Sequence, residues 1–389
     1  MLEGGAATTD GLISASGVMS YVYEKVAGDQ YSHQTPHYGF VEGDGDFIFD
    51  TSILGKLLGP NDTSAASENK KGEENDVLIN TSPQTAGTEL EEEAIVETMK
   101  ELLSEPSKKI KLNDFVERHI KIFLDKIDLR HFPAEGVGAS NEEFFDRIKK
   151  YEESAHDIQR IAVLLTQWGT PDQLMLLKKI LVRTSEVDRG SSGTILWLNL
   201  SWYPIQFLMY SAGIAAVAEQ KYDALKVILE TPVHLVPDTI GKELSINEIV
   251  SRRLSEISDS FKTISGHERH YVPRSEYLFK TLQPTLEDLL FLGRSYEEVF
   301  DKYEIFAAWS YVNQHFVIGG DARGPIGRFG WKSREPFGGK NLIPTIIEEA
   351  KRERESWKPL KAGFFGASFT RFVEISGAFN ERLDKLNWF

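Results

Sequence analysis

The sequence predicts a mainly α-helical protein with a small α/β segment at its N-terminus. Apolar residues recur at helical spacing from about residue 91 to the end of the 389-residue chain. A polar tract precedes that region, and one helix pattern and one strand pattern come before the tract. We therefore predict an α/β segment over 1–55, a flexible polar linker over 56–90 and a large α-helical domain over 91–389.

The N-terminal segment contains two recognisable elements. In "DGLISASGVMSYVYEKV", Ser14 or Ser16 can cap a helix in which Val18, Tyr21 and Val22 recur at helical spacing. In "GDFIFD" apolar and polar residues alternate after a glycine, which predicts a strand. One helix and one strand cannot bury a core of their own, so this segment is predicted to be the end of a larger unit.

The linker begins with "KLLGPNDTSAASENKKGEENDVLINTSPQTAGT" and is rich in Asn, Ser, Gly, Glu and Lys. Such a composition offers too little apolar surface to offset the entropy of ordering the chain. We interpret it as a spacer, and an exposed cleavage or regulatory segment is the alternative.

Three long helices are predicted at the start of the helical domain. "ELEEEAIVETMKELLS" has acidic residues in its first turns. "NDFVERHIKIFLDKI" is predicted to place Phe115, His119, Ile122 and Ile127 on one side. The helix that begins at Asn141 is predicted to have an asparagine cap and to end at glycine 169.

More helices are predicted towards the C-terminus. Their ranges are 171–184, 205–219, 221–231, 246–264, 285–291, 296–315, 342–356 and 368–386. Successive pairs joined by short turns indicate a helical array, and no fixed repeat period is visible.

Charge and composition narrow the functional classes. The formal net charge of −15, from 59 acidic and 44 basic residues, argues against general nucleic-acid binding, which needs a basic surface. Cysteine is absent, which removes disulfides, thiolate zinc sites and a cysteine nucleophile from this chain. The first residues have no basic and apolar signal pattern, so a cytoplasmic location is expected.

An uncharged run over 191–218 raises the question of a membrane span. Asn199, Ser201, Pro204 and Gln206 interrupt it near its middle. Because proline suits the first turn of a helix, the run is predicted to divide into a short apolar element and a buried helix that starts near Pro204. No membrane association is expected.

Two further segments contain residues that often carry chemistry. "SGHERHYVPRSEY" contains His267, Glu268 and His270, but the histidines are not four residues apart as a helical zinc motif requires, so a polar loop without metal is predicted. No elbow-like Gly-x-Ser-x-Gly motif occurs, and no catalytic residue or cofactor is assigned.

The best candidate for a ligand site is the glycine-rich segment 317–341, "VIGGDARGPIGRFGWKSREPFGGKN". Its glycines allow close approach of the backbone, and Arg323, Arg328, Trp331 and Arg334 could clamp an anionic or planar group. The spacing is not that of a phosphate-binding loop. The alternative, which we favour, is a buried glycine-rich loop whose arginines pair with acidic helices.

The N-terminal segment contains five short motifs in order: Leu-Glu-Gly, Asp-Gly, Tyr-Val-Tyr-Glu-x-Val, Gln-Thr-Pro and Gly-Asp-Phe. This order resembles the C-terminal end of the caspase-like domain of bacterial caspase-family and metacaspase-type peptidases. The residues that carry the resemblance are Leu2, Glu3, Gly4, Asp10, Gly11, Tyr21, Val22, Glu24, Val26, Gln34, Thr35, Pro36, Gly45, Asp46 and Phe47.

The resemblance covers about the first fifty residues and implies a Cys-His endopeptidase. The family's catalytic His and Cys precede the matched piece, and His33 and His37 do not occupy the family's catalytic position, so the chain is expected to be a fragment, or a separately encoded subunit, inactive alone. "GPIGRFGWK" and "WKPLKAGFFGASFTRF" are similar to helical extensions of bacterial conflict effector proteins. That likeness implies a helical region that senses a trigger or binds a partner.

Two functional hypotheses result. The first is a caspase-like cysteine endopeptidase, acting in bacterial defence signalling, whose helical C-terminal domain is regulatory. Its expected partners are a protein substrate or partner protein and a small anionic effector. The second is a non-enzymatic helical interaction or scaffold protein that carries a degenerate caspase-like remnant.

Overall fold

The computed structural model describes residues 12–14, 48–50, 83–233, 244–315, 322–333 and 340–386. The chain divides into two compact units, Met1–Ile79 and Asn80–Phe389.

In the first unit, strand β1, Leu12–Ser14, pairs antiparallel with strand β2, Ile48–Asp50. Strand β2 lies within the predicted strand. Strand β1 precedes the predicted helix, whose cap is Ser14 or Ser16, so it does not test that helix; the β-branched isoleucine at its centre favours the extended conformation. The residues of that predicted helix after Ser14, and all fifteen residues that carry the caspase-like resemblance, lie outside the described residues.

The second unit is mainly helical, as predicted. Its described part contains fourteen α-helices and one short antiparallel pair of strands. The helices are α1 Pro83–Ser104, α2 Lys109–Lys126, α3 Asn141–Trp168, α4 Leu174–Ser185, α5 Ile195–Leu200, α6 Tyr203–Ala218, α7 Tyr222–Glu230, α8 Ile246–Ser255, α9 Pro273–Leu290, α10 Tyr296–His315, α11 Arg328–Lys332, α12 Ile343–Glu353, α13 Lys358–Lys361 and α14 Phe369–Asp384. Strands β3, Pro232–Val233, and β4, Leu244–Ser245, form the pair.

The ends of α3 show how local chemistry sets a helix boundary. The Ser140 side chain accepts a hydrogen bond from the backbone N–H of Glu143, so the cap is Ser140 and not the predicted Asn141. Gly169 ends the helix, as predicted, with an extended backbone. A Cβ at this position would lie 2.2 Å from the carbonyl oxygen of Leu165, which explains the glycine.

Several predicted boundaries differ from those observed. Helix α1 begins at Pro83, inside the range assigned to the linker. The predicted helix 246–264 divides into α8 and a 3-10 segment, Ser258–Thr263. Helix α9 begins at Pro273, twelve residues before the prediction, because proline occupies the first turn, where its missing N–H leaves no hydrogen bond unmade.

The buried face of α2 also differs from the prediction. Leu112, Val116, Ile120 and Phe123 are buried in the core. Of the predicted set, Ile127 is buried at the end of the helix, Phe115 and His119 are half-buried, and Ile122 is exposed. The residues at i, i+4, i+8 and i+11 form the observed stripe, which lies one position away from that predicted.

Helix α6 lies at the centre of the unit and packs against α3, α4, α7, α8, α9 and α10. Nearly all of its residues are buried, and Pro204 lies in its first turn, as predicted for the uncharged run. A helix buried on all sides needs apolar residues all round, which explains the absence of a polar stripe. No helix in the described part of the chain has the length and apolar character needed to cross a membrane.

Candidate functional site

Four helices and one loop enclose a narrow polar cleft beside α6. We call it the Arg274 cleft; its volume is about 40 Å³, and half-buried Ser251 and Ser258 are among the residues that line it. Helix α6 contributes Gln206 and Tyr210, α8 contributes Asn247, α9 contributes Arg274 and Ser275, α10 contributes Tyr303 and Glu304, and the loop before α11 contributes Pro325, Ile326 and Gly327.

Glu304 lies at the buried end of the cleft with 3% of its surface exposed. Its Oε1 accepts hydrogen bonds from the hydroxyls of Ser275, at 2.6 Å, and Tyr210, at 2.9 Å. Its Oε2 accepts one from the backbone N–H of Arg328, at 2.8 Å. Burial raises the pKa of Glu304 to about 7, although the bonds from Ser275, Tyr210 and Arg328 oppose that shift.

The loop before α11 is shaped by Glu304. A Cβ on Gly327 would lie 2.0 Å from Oε2 of Glu304, so only glycine allows the backbone to pass this close to the carboxyl group. The backbone nitrogen of the next residue, Arg328, also lies 3.0 Å from the hydroxyl oxygen of Ser275 and donates a hydrogen bond to it. Ser275 is therefore held between a backbone donor and the Glu304 carboxyl group.

Arg274 brings a cation to the same cleft. Burial lowers the pKa of its guanidinium, and attraction to Tyr210, Glu304 and Tyr203 partly offsets that effect. The Nη1 atom is buried and has no hydrogen-bond partner among the described residues. A buried guanidinium nitrogen without an acceptor is unfavourable, and an anion in the cleft would supply that acceptor.

Gln206 is the second polar side chain with unused hydrogen-bonding capacity in the cleft. Only 4% of its surface is exposed, and its Oε1 has no donor within the part of the chain that the structure describes. The side chain projects from the first turns of α6, the most buried helix of the unit. An unpaired amide oxygen at such a site favours a ligand that donates a hydrogen bond.

Two of the residues predicted to clamp a ligand, Arg328 and Trp331, contact Glu276. Arg328 is buried; its Nε lies 2.9 Å from Oε2 of Glu276 and its guanidinium stacks 3.5 Å from the centre of the Phe279 ring. The Trp331 indole N–H donates to Oε1 of Glu276 at 2.9 Å. These two contacts are of the kind that the structural interpretation predicted, in which the arginines pair with acidic helices.

Of the other two predicted residues, the structure describes one. Arg323 is exposed, in the described stretch that begins at Ala322. Arg334 lies outside the described residues. Pro325, Ile326 and Gly327 line the Arg274 cleft, so the glycine-rich segment contributes backbone and apolar surface to it. The arginine that faces the cleft, Arg274, comes from a different part of the sequence.

A buried group of ion pairs fixes α11 on α10. Lys332 lies 2.6 Å from Oδ2 of Asp301, and both side chains are less than 5% exposed. Lys332 and Arg328 also pair with Glu297. Burial raises the pKa of Asp301, and Lys332 opposes that shift. This cluster positions the Gly327 loop that closes one side of the cleft.

His267 packs against α9. His267 is 5% exposed, its Nδ1 lies 3.2 Å from the carbonyl oxygen of Ser265, and its ring contacts that of Tyr277. Burial lowers the pKa of this histidine. The described residues contain no group of three or more His, Asp or Glu side chains placed to hold a metal ion.

Sequence reasoning missed Arg274, Glu304 and Gln206. Arg274 follows a proline that predicts a loop, and Glu304 lies in a helix whose apolar residues form no single stripe, so its burial has no sequence signal. Only Gln206 left a signal, as one of the polar residues that interrupt the uncharged run 191–218.

Neither known protein families, curated proteins nor solved structures provided a match to this chain.

Proposed function

We propose that the helical unit is a sensor domain that binds a small anionic ligand in the Arg274 cleft. The observation that carries the proposal is the buried Nη1 of Arg274, which has no acceptor among the described residues and lies in a cleft that Glu304, Tyr210 and Ser275 make polar. Arginine presents a planar fork of donors that suits carboxylate and phosphate oxygens, and a low-dielectric setting strengthens that attraction.

Binding is favoured over catalysis because the two hydroxyl groups beside Glu304, those of Ser275 and Tyr210, are already engaged. Ser275 donates to Glu304 and accepts from the N–H of Arg328, and Tyr210 donates to Glu304. A serine nucleophile needs a base that accepts its proton while its oxygen faces the substrate. Ser275 instead serves to hold Glu304 and the Gly327 loop in place.

We propose further that this sensor regulates a caspase-like cysteine endopeptidase. The support is the order of five motifs between Leu2 and Phe47. The chain has no cysteine, so the thiolate would come from outside this sequence. A non-enzymatic helical scaffold with a degenerate caspase-like remnant is the second candidate, and the same anion-binding sensor suits it.

A peptidase assay tests whether this chain has proteolytic activity on its own. The purified 389-residue protein is expected to hydrolyse no peptide of a broad substrate library, because it has no thiol nucleophile. Proteolysis by the purified chain that resists thiol reagents would contradict the caspase-like assignment.

Thermal unfolding tests the sensor. A bound anion should raise the Tm of the wild-type protein in proportion to the logarithm of its concentration, and the substitution Arg274→Met should abolish this shift. Arg323→Met is the matched control, since Arg323 is exposed, and it should keep the shift. Unchanged stabilisation of R274M by the same anion would refute the site.

A further inference from the structure

We infer that the ligand of the Arg274 cleft is a short hydroxy acid, a carboxylate with a hydroxyl group on the neighbouring carbon. The inference rests on the proposed function and adds the chemical class of the ligand. Its basis is the pairing of two unlike groups at one small site, the cationic donor Arg274 and the acceptor oxygen of Gln206.

The anionic end is assigned from Arg274. A guanidinium forms paired hydrogen bonds with the two oxygens of a carboxylate or with two oxygens of a phosphate. Arg274 is the one cationic side chain among the described residues that line the cleft. Glu304, at the same site, adds negative charge when it is ionised. A singly charged carboxylate is therefore better balanced than a phosphate, which carries up to two charges at neutral pH.

The size of the cleft also limits the ligand. A volume of about 40 Å³ accessible to water-sized groups corresponds to roughly three water molecules, because one needs about 10–15 Å³ by this measure. Each water occupies about 30 Å³ of liquid, so the space suits an acid of two or three carbon atoms. Longer acids would not fit within this volume.

The hydroxyl group of the ligand, which donates a hydrogen bond, is inferred from Gln206. Its buried Oε1 accepts hydrogen bonds only, and an ionised carboxylate has no proton to donate. A simple carboxylate would leave this oxygen unpaired, whereas a neighbouring hydroxyl would pair with it. An ammonium group could also donate, but it would place a second cation beside Arg274 in a buried site, which favours the hydroxyl.

Calorimetric titration of the full chain tests the inference with four probes: glycolate, acetate, glycine and inorganic phosphate. All are measured at one pH near 6 and at one ionic strength. Glycolate is expected to bind about tenfold more tightly than acetate, the effect of one hydrogen bond to a buried acceptor. Glycine and phosphate are expected to bind more weakly than glycolate.

The substitution Gln206→Met removes the acceptor while keeping a side chain of similar length. It should lower glycolate affinity to the level of acetate and leave acetate affinity unchanged, so acetate binding shows that the altered site is still folded. If Q206M does not fold, the wild-type ratio of glycolate to acetate still decides the question.

The outcomes separate this inference from the proposed function. Equal binding of acetate and glycolate, or tighter binding of glycine or phosphate, would overturn the hydroxy-acid assignment and leave the anion sensor standing. Absence of binding by all four probes would overturn both. Glycolate binding that survives Arg274→Met would place the ligand elsewhere and would also overturn both.

Discussion

The carboxyl group of Glu304 makes the stability of this protein depend on pH. Its pKa of about 7 in the folded protein exceeds the ordinary value of 4.5, so the folded state binds the proton more tightly than the unfolded state. The resulting stabilisation is complete below about pH 4.5 and is lost as the pH rises through 7. For a shift of this size the loss amounts to about 3 kcal/mol.

The substitution Glu304→Gln should flatten this dependence. Urea unfolding of the wild type and of E304Q between pH 5 and 8 should show a difference in the free energy of unfolding that changes steadily through that window. The difference between the two proteins isolates Glu304 from the other groups that titrate, such as Asp301 and Glu230, whose pKa values burial also raises. Parallel curves for the two proteins would contradict the assignment.

The close passage of the backbone at Gly327 gives a second prediction. Gly327→Ala should lower the free energy of unfolding by roughly 1–3 kcal/mol, because the new methyl group would overlap the Glu304 carboxyl group. Gly377→Ala is the control, since a Cβ there meets nothing within 4 Å and alanine favours the helix. Denaturant unfolding should separate the two variants, and equal stabilities would contradict the geometry.

Among single residues, the sequence predicted those of the loop that borders the cleft better than the charged residues that line it. The segment 317–341 does reach the cleft through Gly327, and Arg328 does pair with acidic residues. Sequence spacing gave no sign that Arg274 and Glu304, thirty positions apart, line one cleft. That proximity depends on how α9 packs against α10, which periodicity along each helix does not specify.

Among the helices, the short α11 depends most on charge. Its five residues are too few to form a stable helix alone, and Lys332 connects it to Asp301 on α10. Removal of one partner leaves the other charge buried without compensation.

Lys332→Met should therefore lower the free energy of unfolding by about 3–5 kcal/mol at pH 8. Lys340→Met is a matched control, because Lys340 pairs with Glu298 while 68% exposed, and it should cost at most about 1 kcal/mol. The loss in K332M should shrink at low pH as Asp301 takes up a proton. Chemical denaturation at the two pH values measures both effects, and similar losses for the two variants would show that the buried pair does not anchor α11.

The helices with the strongest local sequence signals were predicted most accurately. Helix α10 has the predicted range 296–315, because its apolar pattern is continuous. Helix α9 was predicted only at its C-terminal end, since Pro273 and Pro284 both lie within it and proline usually marks a helix boundary. The face of α2 was misplaced because Ile122 is apolar but exposed, which only the packing of neighbouring helices decides.

At the scale of the whole chain, the sequence predicts that protease cleaves the polar tract 56–90 and releases a stable helical fragment. Residues such as Met99 and Leu102 on α1 are buried, so a cut inside α1 would expose core. The fragment is therefore expected to begin before Pro83, earlier than the boundary the sequence alone predicted. Limited proteolysis with mass spectrometry should identify its N-terminus, and protection of the entire tract would contradict the division into parts.

The sequence was sufficient for the class of this unit because helical periodicity is a local property. The burial of α6 was also predictable, because its uncharged run is a local signal. The meeting of Arg274, Glu304 and Gln206 was not predictable, since it depends on contacts between segments far apart in the chain. The described strands β1 and β2 do not test the caspase-like resemblance, because all the residues that carry it lie outside the described part of the chain.

The central position of α6 has a consequence for biosynthesis. Helices α3 and α4 are made before α6, but α9 and α10, which cover its other side, leave the ribosome only after a long further stretch of chain. During that interval an apolar helix, including Phe207, Leu208 and Ile214, stays partly uncovered. Nascent chains halted between Ala218 and Tyr296 should therefore be bound by the chaperones that recognise apolar segments, and chains extended beyond His315 should be released.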